Sequence, residues 1–278
     1  MRRCKRFSGL CSGLLATLVL AAVPPAMASE PAPPPTPTGP PEYAEDIPTG
    51  TPEGLAEYVS FSYGNIAGYW TDHFKKLGLA APSAFYAVPM AGESYRTACD
   101  PEPITSSTES VFYCGSDRFT GEQGTTYTGG IFFPIGEAVE LRSANGDFAV
   151  AAVLAHEYGH EVQEAYMEQR GWRDIVLMRN DKPVLDAQGH TVPVKESELL
   201  ADCFSGAWSS HAEKQGYVDQ ADLGAAVNAF ISVADKVVGG VKHPHGSKYE
   251  RTAAYELGYR QGDPERCVQQ YWSSEIFK

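Results

Sequence analysis

The strings Gly146-Asp147-Phe148-Ala149 and Ala155-His156-Glu157-Tyr158-Gly159-His160-Glu161-Val162-Gln163 decide how this chain is read. Asn145, Gly146 and Asp147 punctuate the sequence. Asp147 suits the N-cap of a helix whose apolar positions Ala151, Leu154, Tyr158 and Val162 recur at helical spacing. On such a helix His156 and His160, four residues apart, face one way. Two imidazoles so placed can bind one Zn2+ at ~2.0 to 2.1 Å, with Glu157 one step round the helix and near enough to take a proton from a water on the metal. Zinc brings the pKa of that water from about 15.7 towards ~7, so the implied chemistry is hydrolysis. Gly159 costs the helix ~1 kcal/mol relative to Ala, which points to close approach by another backbone or a ligand.

Two histidines leave zinc short of a third protein ligand. Leu199, Cys203, Ala207 and Trp208 mark a second helix, on which Glu198 and Asp202 share a face. Glu198 would complete a His2Glu site, and Asp202 would accept a hydrogen bond from the outer nitrogen of a ligand histidine. Glu196 is the competitor; it lies about 200° round the helix from Glu198, so both cannot point at one metal. Cys114 is a different candidate, 42 residues before His156. That placement resembles the peptide deformylases, in which a Cys ligand lies upstream of the same motif, but an oxidising destination argues against a free thiolate.

The N-terminus points to that destination. Arg2, Arg3, Lys5 and Arg6 precede an apolar stretch from Leu10 to Val23, and Ala26-Met27-Ala28 is a small-x-small cleavage site, so residues 1–28 read as a signal peptide. The rival is an uncleaved anchor, which would bring the protein to a membrane, but the run is shorter than the ~20 apolar residues that span a bilayer. Residues 29–50 hold the segment PAPPPTPTGPP and read as a stiff, Pro-rich linker. Residues 51–278 have globular composition and no internal repeat, which predicts one domain.

Removing residues 1–28 leaves 18 basic against 35 acidic residues, a net charge of −17. No cluster of Lys and Arg remains to bind phosphates, which excludes nucleic acid as an expected partner. Four cysteines also remain, and they allow three pairings. Cys99-Cys114 with Cys203-Cys267 is favoured, because the first closes a short loop over the turn-rich segment Asp100 to Ser110. In the chain-entropy account the two bridges contribute ~3 and ~4 kcal/mol. Ala84 to Pro89, Ser110 to Cys114 and Ile131 to Ile135 have strand composition, Leu55 to Leu77 has mixed helical spacing interrupted by Gly64 and Gly68, and Asp222 to Val238 reads as a helix stopped by Gly239-Gly240.

The strings Thr97-Ala98-Cys99, Phe112-Tyr113-Cys114, the active-helix block above, Glu198-Leu199-Leu200-Ala201-Asp202-Cys203 with Gly206 and Trp208, and His245-Gly246-Ser247 with Arg251 occur in one order. That set resembles the bacterial neutral zinc metallopeptidases, a zincin-like group. The resemblance implies an α+β, zincin-like single domain with the motif on an active-site helix, a small sheet before it and a helical C-terminal part. It implies one Zn2+ per chain held by His156, His160 and Glu198, Glu157 as general base, and a peptide or protein substrate.

His245 is the candidate donor to the oxyanion of amide hydrolysis, and Arg251 either assists there or makes a structural ion pair. His73, His190 and His211 lie outside any constellation. The sequence departs from the family after Cys114, where Gly115-Ser116-Asp117 and a glycine-rich insert stand, and at position 161, where Glu replaces a frequent His and adds negative charge near the metal. The expected protein is a secreted or cell-envelope peptidase. Its rival is a non-catalytic envelope module that keeps the fold and metal for binding or assembly.

Overall fold

The computed structural model describes residues 47–121, 124–170, 178–179, 182–183, 195–218, 220–232, 237–238, 241–242 and 245–272. Residues 1–46, with the signal segment and most of the Pro-rich linker, lie outside them, as do His190, Gly239, Gly240 and His243.

Helix α1 (Pro52–Leu77) starts where the Thr51 side chain accepts from the Gly54 amide with Pro52 at the first helical position, and it stops at Gly78 with φ 71°. Leu55, Tyr58, Val59, Ile66, Trp70 and Phe74 give it one continuous buried stripe. Burial of that stripe outweighs the cost of Gly64 and Gly68, so the segment is one helix of 26 residues. Strand β1 (Phe85–Ala87) follows, then a small antiparallel pair, β2 (Ser94–Tyr95) with β3 (Ile104–Thr105), and a hairpin of β4 (Phe112–Thr120) and β5 (Thr126–Phe132). The order β1-β5-β4 makes a three-stranded sheet, parallel between β1 and β5 and antiparallel between β5 and β4. The register of β4 shifts between Cys114 and Arg118, so the Gly115-Ser116-Asp117 departure coincides with a bulge in the edge strand.

Helix α2 (Ile135–Asn145) turns at Gly146 into α3 (Asp147–Arg170). Asp147 does not cap α3 as expected; it lies inside the helix, and its carboxylate accepts from Thr49 Oγ1 and Arg142 Nε, each at 2.7 Å. An ion pair with Arg142, five residues earlier, and a long-range hydrogen bond from Thr49 replace the local cap. Helices α4 (Lys195–Lys214), α5 (Gln220–Ser232), α6 (Lys248–Gln261) and α7 (Pro264–Tyr271) follow among the described residues, and the third predicted helix does not reach Val238, because Val237–Val238 is strand. Met178–Arg179 pairs with Lys182–Pro183, and Val237–Val238 with Val241–Lys242. The result is a mixed helix and sheet protein of the α+β class. No helix among the described residues is long and apolar enough to cross a membrane.

The helices pack with their backbones close together. A Cβ on Gly206 of α4 would lie 2.0 Å from the Tyr255 carbonyl oxygen, and one on Gly258 of α6 would lie 1.9 Å from that of Cys203. Only glycine at both positions permits this crossing, and the disulfide Cys203–Cys267 then ties α4 to α7. The second disulfide, Cys99–Cys114, anchors the β2–β3 region to the edge strand beside a smaller apolar cluster of Phe85, Tyr95, Ile104 and Phe132.

Candidate metal centre

His156 and His160 project from α3 and Glu198 from α4, so that one ligand atom from each lies within 4.8 Å of the other two. The His156 Nε2 to Glu198 Oε2 distance is 3.4 Å and the His160 Nε2 to Glu198 Oε1 distance 3.7 Å. Both imidazoles therefore present the same nitrogen to one carboxylate. The other nitrogen of His156, Nδ1, donates to Asp202 Oδ1 at 2.8 Å; a carboxylate can only accept, which fixes the ring orientation. Asp202 in turn accepts from Arg251, Nε to Oδ2 at 2.8 Å and Nη2 to Oδ1 at 2.7 Å. Arg251 is buried, with its guanidinium over the Phe230 ring at 5.3 Å. Of the two roles weighed for Arg251, this geometry fits the ion pair, because its fork is occupied by Asp202.

The electrostatics suit a cation. Burial works to raise Glu198, but the charges of His160, His156 and His245 hold it well below the usual carboxylate range. Burial likewise opposes ionisation of Asp202, and the Arg251 guanidinium overrides it. Burial alone would lower His156, yet its hydrogen bonds to Asp202 and Glu198 raise it, whereas burial brings His160 down to about 4. Two imidazole nitrogens and a carboxylate oxygen, with His156 and Glu198 buried, His160 half-buried and a second carboxylate behind them, are a donor set that fits zinc.

Glu157 is buried next to the candidate ligands, and burial pushes its carboxyl up to about 7 against the pull of His156, Arg251 and the Tyr113 backbone amide. The edge strand β4 thus borders the general-base candidate. Tyr113 also stacks over His160 at 6.5 Å. Its hydroxyl donates to Glu161 Oε2 at 2.6 Å, while Glu161 Oε1 accepts from the Ser83 amide at 2.8 Å. The carboxylate of Glu161 is thereby turned to the sheet rather than the ligand cluster, and burial pushes it up to about 8, which reduces the negative charge expected of it.

His245 is half-buried on the turn before α6, and its ring is coupled electrostatically to Glu198, Arg251, His156 and Asp202. Its Nδ1 is buried without a hydrogen-bond partner in the protein. Glu196 is not part of the ligand group. Cys114 is bonded to Cys99, so it offers no thiolate to a metal. His73 bonds Tyr166 Oη at 2.9 Å, and His211 packs on the Tyr69 ring, both away from the cluster. The sequence reading missed two groups at the site: Tyr113, whose position appears only once β4 is placed, and Gln163, a buried polar residue one turn beyond His160.

Fold and donor set together define an α+β protein with a three-residue candidate metal centre shared between two helices. Residues 43–269 match a family model described as "Putative neutral zinc metallopeptidase". The chain belongs to that family. It is similar to an Escherichia coli K12 protein named "Uncharacterized protein YpfJ", 28% identical over 224 residues that span 76% of this chain and 70% of the relative. It is also similar to "Uncharacterized protein Rv2575" of Mycobacterium tuberculosis, 31% identical over 189 residues, 62% of this chain and 57% of the relative. No solved structure matches the chain.

Proposed function

We propose that this chain is an exported zinc-dependent peptidase of zincin type that hydrolyses peptide bonds. The observation that carries the reading is the convergence of His156, His160 and Glu198 from two helices, with Glu157 buried beside them. His156 and His160 supply two nitrogens, Glu198 an oxygen, and Asp202 holds the His156 ring in place. Zinc bound there supplies Lewis-acid polarisation of a carbonyl and acidifies a water.

Glu157 takes the proton of the attacking water on its carboxylate and returns it to the leaving amine nitrogen. The half-buried His245 ring, at the edge of the ligand group, donates a hydrogen bond to the oxyanion that develops on the scissile carbonyl. Strand β4, with the Tyr113 amide beside Glu157, forms one wall of the site. In this reading residues 51–278 are the peptidase domain, residues 1–28 a cleaved signal and residues 29–50 a linker. Two disulfides in the described residues support an oxidising, extracytoplasmic setting.

The test is to prepare the disulfide-bonded chain, measure zinc per chain, and digest a mixed peptide library with and without a chelator. One equivalent of zinc and chelator-sensitive cleavage are expected, and Glu157→Ala should keep the zinc while losing the cleavage. Zinc without cleavage in the unaltered chain would replace the enzyme with the binding module. Unchanged turnover in the Glu157 variant would refute the mechanism.

A further inference from the structure

Helices α3 and α4 run antiparallel through the metal centre, and three contacts set how far one is slid along the other. Ser205 Oγ donates to the Ala152 carbonyl at 2.8 Å. Gly159 faces Ala201, whose Cα would lie 3.1 Å from a Cβ at that glycine. One turn further, Ser197 Oγ donates to Gln163 Oε1 at 2.7 Å and Gln163 Nε2 donates to the Ser197 carbonyl at 3.0 Å. His160 falls between the second and third contacts on α3, and Glu198 falls between the same two on α4. Gln163 and Ser197 are 1% and 4% exposed, so water does not compete for the clasp.

We infer that the Gln163–Ser197 clasp is the positioning device that sets the register at which Glu198 meets His156 and His160. Apolar packing between helices is non-directional and does not by itself fix a slide to tenths of an ångström, whereas ligand distances at a metal are held to about 0.2 Å. A slip of one residue moves a helix by ~1.5 Å, several times that tolerance. A two-way hydrogen bond between a side chain and the residue preceding a ligand has the required direction and range. Gln163 touches no ligand; it acts through the backbone and side chain of Ser197. The inference rests on the metal reading above.

The test measures zinc affinity of the full disulfide-bonded chain by chelator competition, and the visible spectrum of its cobalt(II) form. Gln163→Met, which keeps the shape and removes both bonds, should weaken zinc binding about 10–100-fold and alter the cobalt spectrum. Ser197→Ala should cost less, since the Ser197 carbonyl still accepts from Gln163, and the double variant should cost no more than Gln163→Met alone. Gln169 supplies the control. It makes the same two-way bond with Ala80, at 2.7 and 2.8 Å, away from α4, so Gln169→Met should leave affinity and spectrum unchanged.

Unchanged affinity and spectrum in Gln163→Met overturn the inference, as does an equal loss in Gln169→Met. If Gln163→Met does not fold, Ser197→Ala decides, and an affinity equal to that of the unaltered chain overturns the proposal. Failure of the unaltered chain to take up zinc sinks the metal reading itself; zinc uptake that ignores these variants sinks this inference alone.

Discussion

Replacing Arg251 by Met isolates the charge arrangement behind the candidate metal centre. Asp202 is fully buried and ionised, and its two oxygens accept from Arg251 at 2.8 and 2.7 Å and from His156 at 2.8 Å. Met fills a similar volume beside Phe230 but withdraws the guanidinium that, among the described residues, pairs with this carboxylate. An uncompensated buried charge costs about 3–5 kcal/mol, which for a chain of this size is a fall in Tm of roughly 6–20 °C. The measurement is urea or thermal unfolding of the disulfide-bonded chain in chelator, so that metal binding does not add to the folded state.

Asp202→Asn on top of Arg251→Met removes the orphaned charge while leaving an oxygen for His156, and the double variant should therefore be more stable than Arg251→Met alone. A loss under about 1 kcal/mol for Arg251→Met would refute the reasoning, because it would mean that Asp202 does not depend on its partner. A double variant as unstable as the sum of the two single ones would do the same.

Glu198→Ala should lower zinc affinity far more than Glu196→Ala, and equal zinc content in the two variants at limiting metal would refute the ligand assignment. Gly258→Ala places a methyl 1.9 Å from the Cys203 carbonyl oxygen, so α4 and α6 must separate. The expected net loss is about 1–3 kcal/mol despite the better helix propensity of Ala, and an unchanged or higher Tm would contradict the close crossing. Glu265 is held down at about 2 by His73 at 3.6 Å, with further help from Tyr166 and Arg170 and against its own partial burial. A carboxylate depressed in the folded state stabilises above its ordinary pKa of ~4.3 and loses that contribution as pH falls towards the folded value. Glu265→Gln should therefore flatten the stability profile between about pH 4 and 2, and an unaltered acid limb would exclude this linkage.

The local parts of the site were legible in the sequence, and the distant parts were legible only as types. His156, Glu157 and His160 lie within five residues on one helix, so their mutual placement follows from helical periodicity alone. Glu198 and Asp202 share a helix face by the same rule, but periodicity says nothing about which face of α4 meets which face of α3. The roles of Asp147 and Glu161 were misread for a common reason. Asp147 was read as a local cap and Glu161 as a charge near the metal, whereas their carboxylates accept from Thr49 in one case and from Tyr113 and Ser83 in the other, all far along the chain. Side chains that accept hydrogen bonds from residues far along the chain cannot be read from a local pattern.

What converts the local motif into a three-residue site is the close approach of helix backbones. Gly159 lets α3 lie against Ala201, and Gly206 with Gly258 lets α6 lie against α4, which carries Arg251 to Asp202 and His245 to the edge of the cluster. Each glycine is unfavourable within its own helix by ~1 kcal/mol, a cost that propensity reads as noise and that the crossing explains. The sequence records this geometry as a set of misplaced small residues, at 159, 206 and 258, alongside the ligands themselves. A helix pair spaced by larger residues would hold the same imidazoles and carboxylate too far apart to share one ion. Gly159 therefore bears on the candidate metal centre directly, and Gly206 with Gly258 through the Arg251–Asp202 pair, so substituting them should perturb zinc affinity as well as stability.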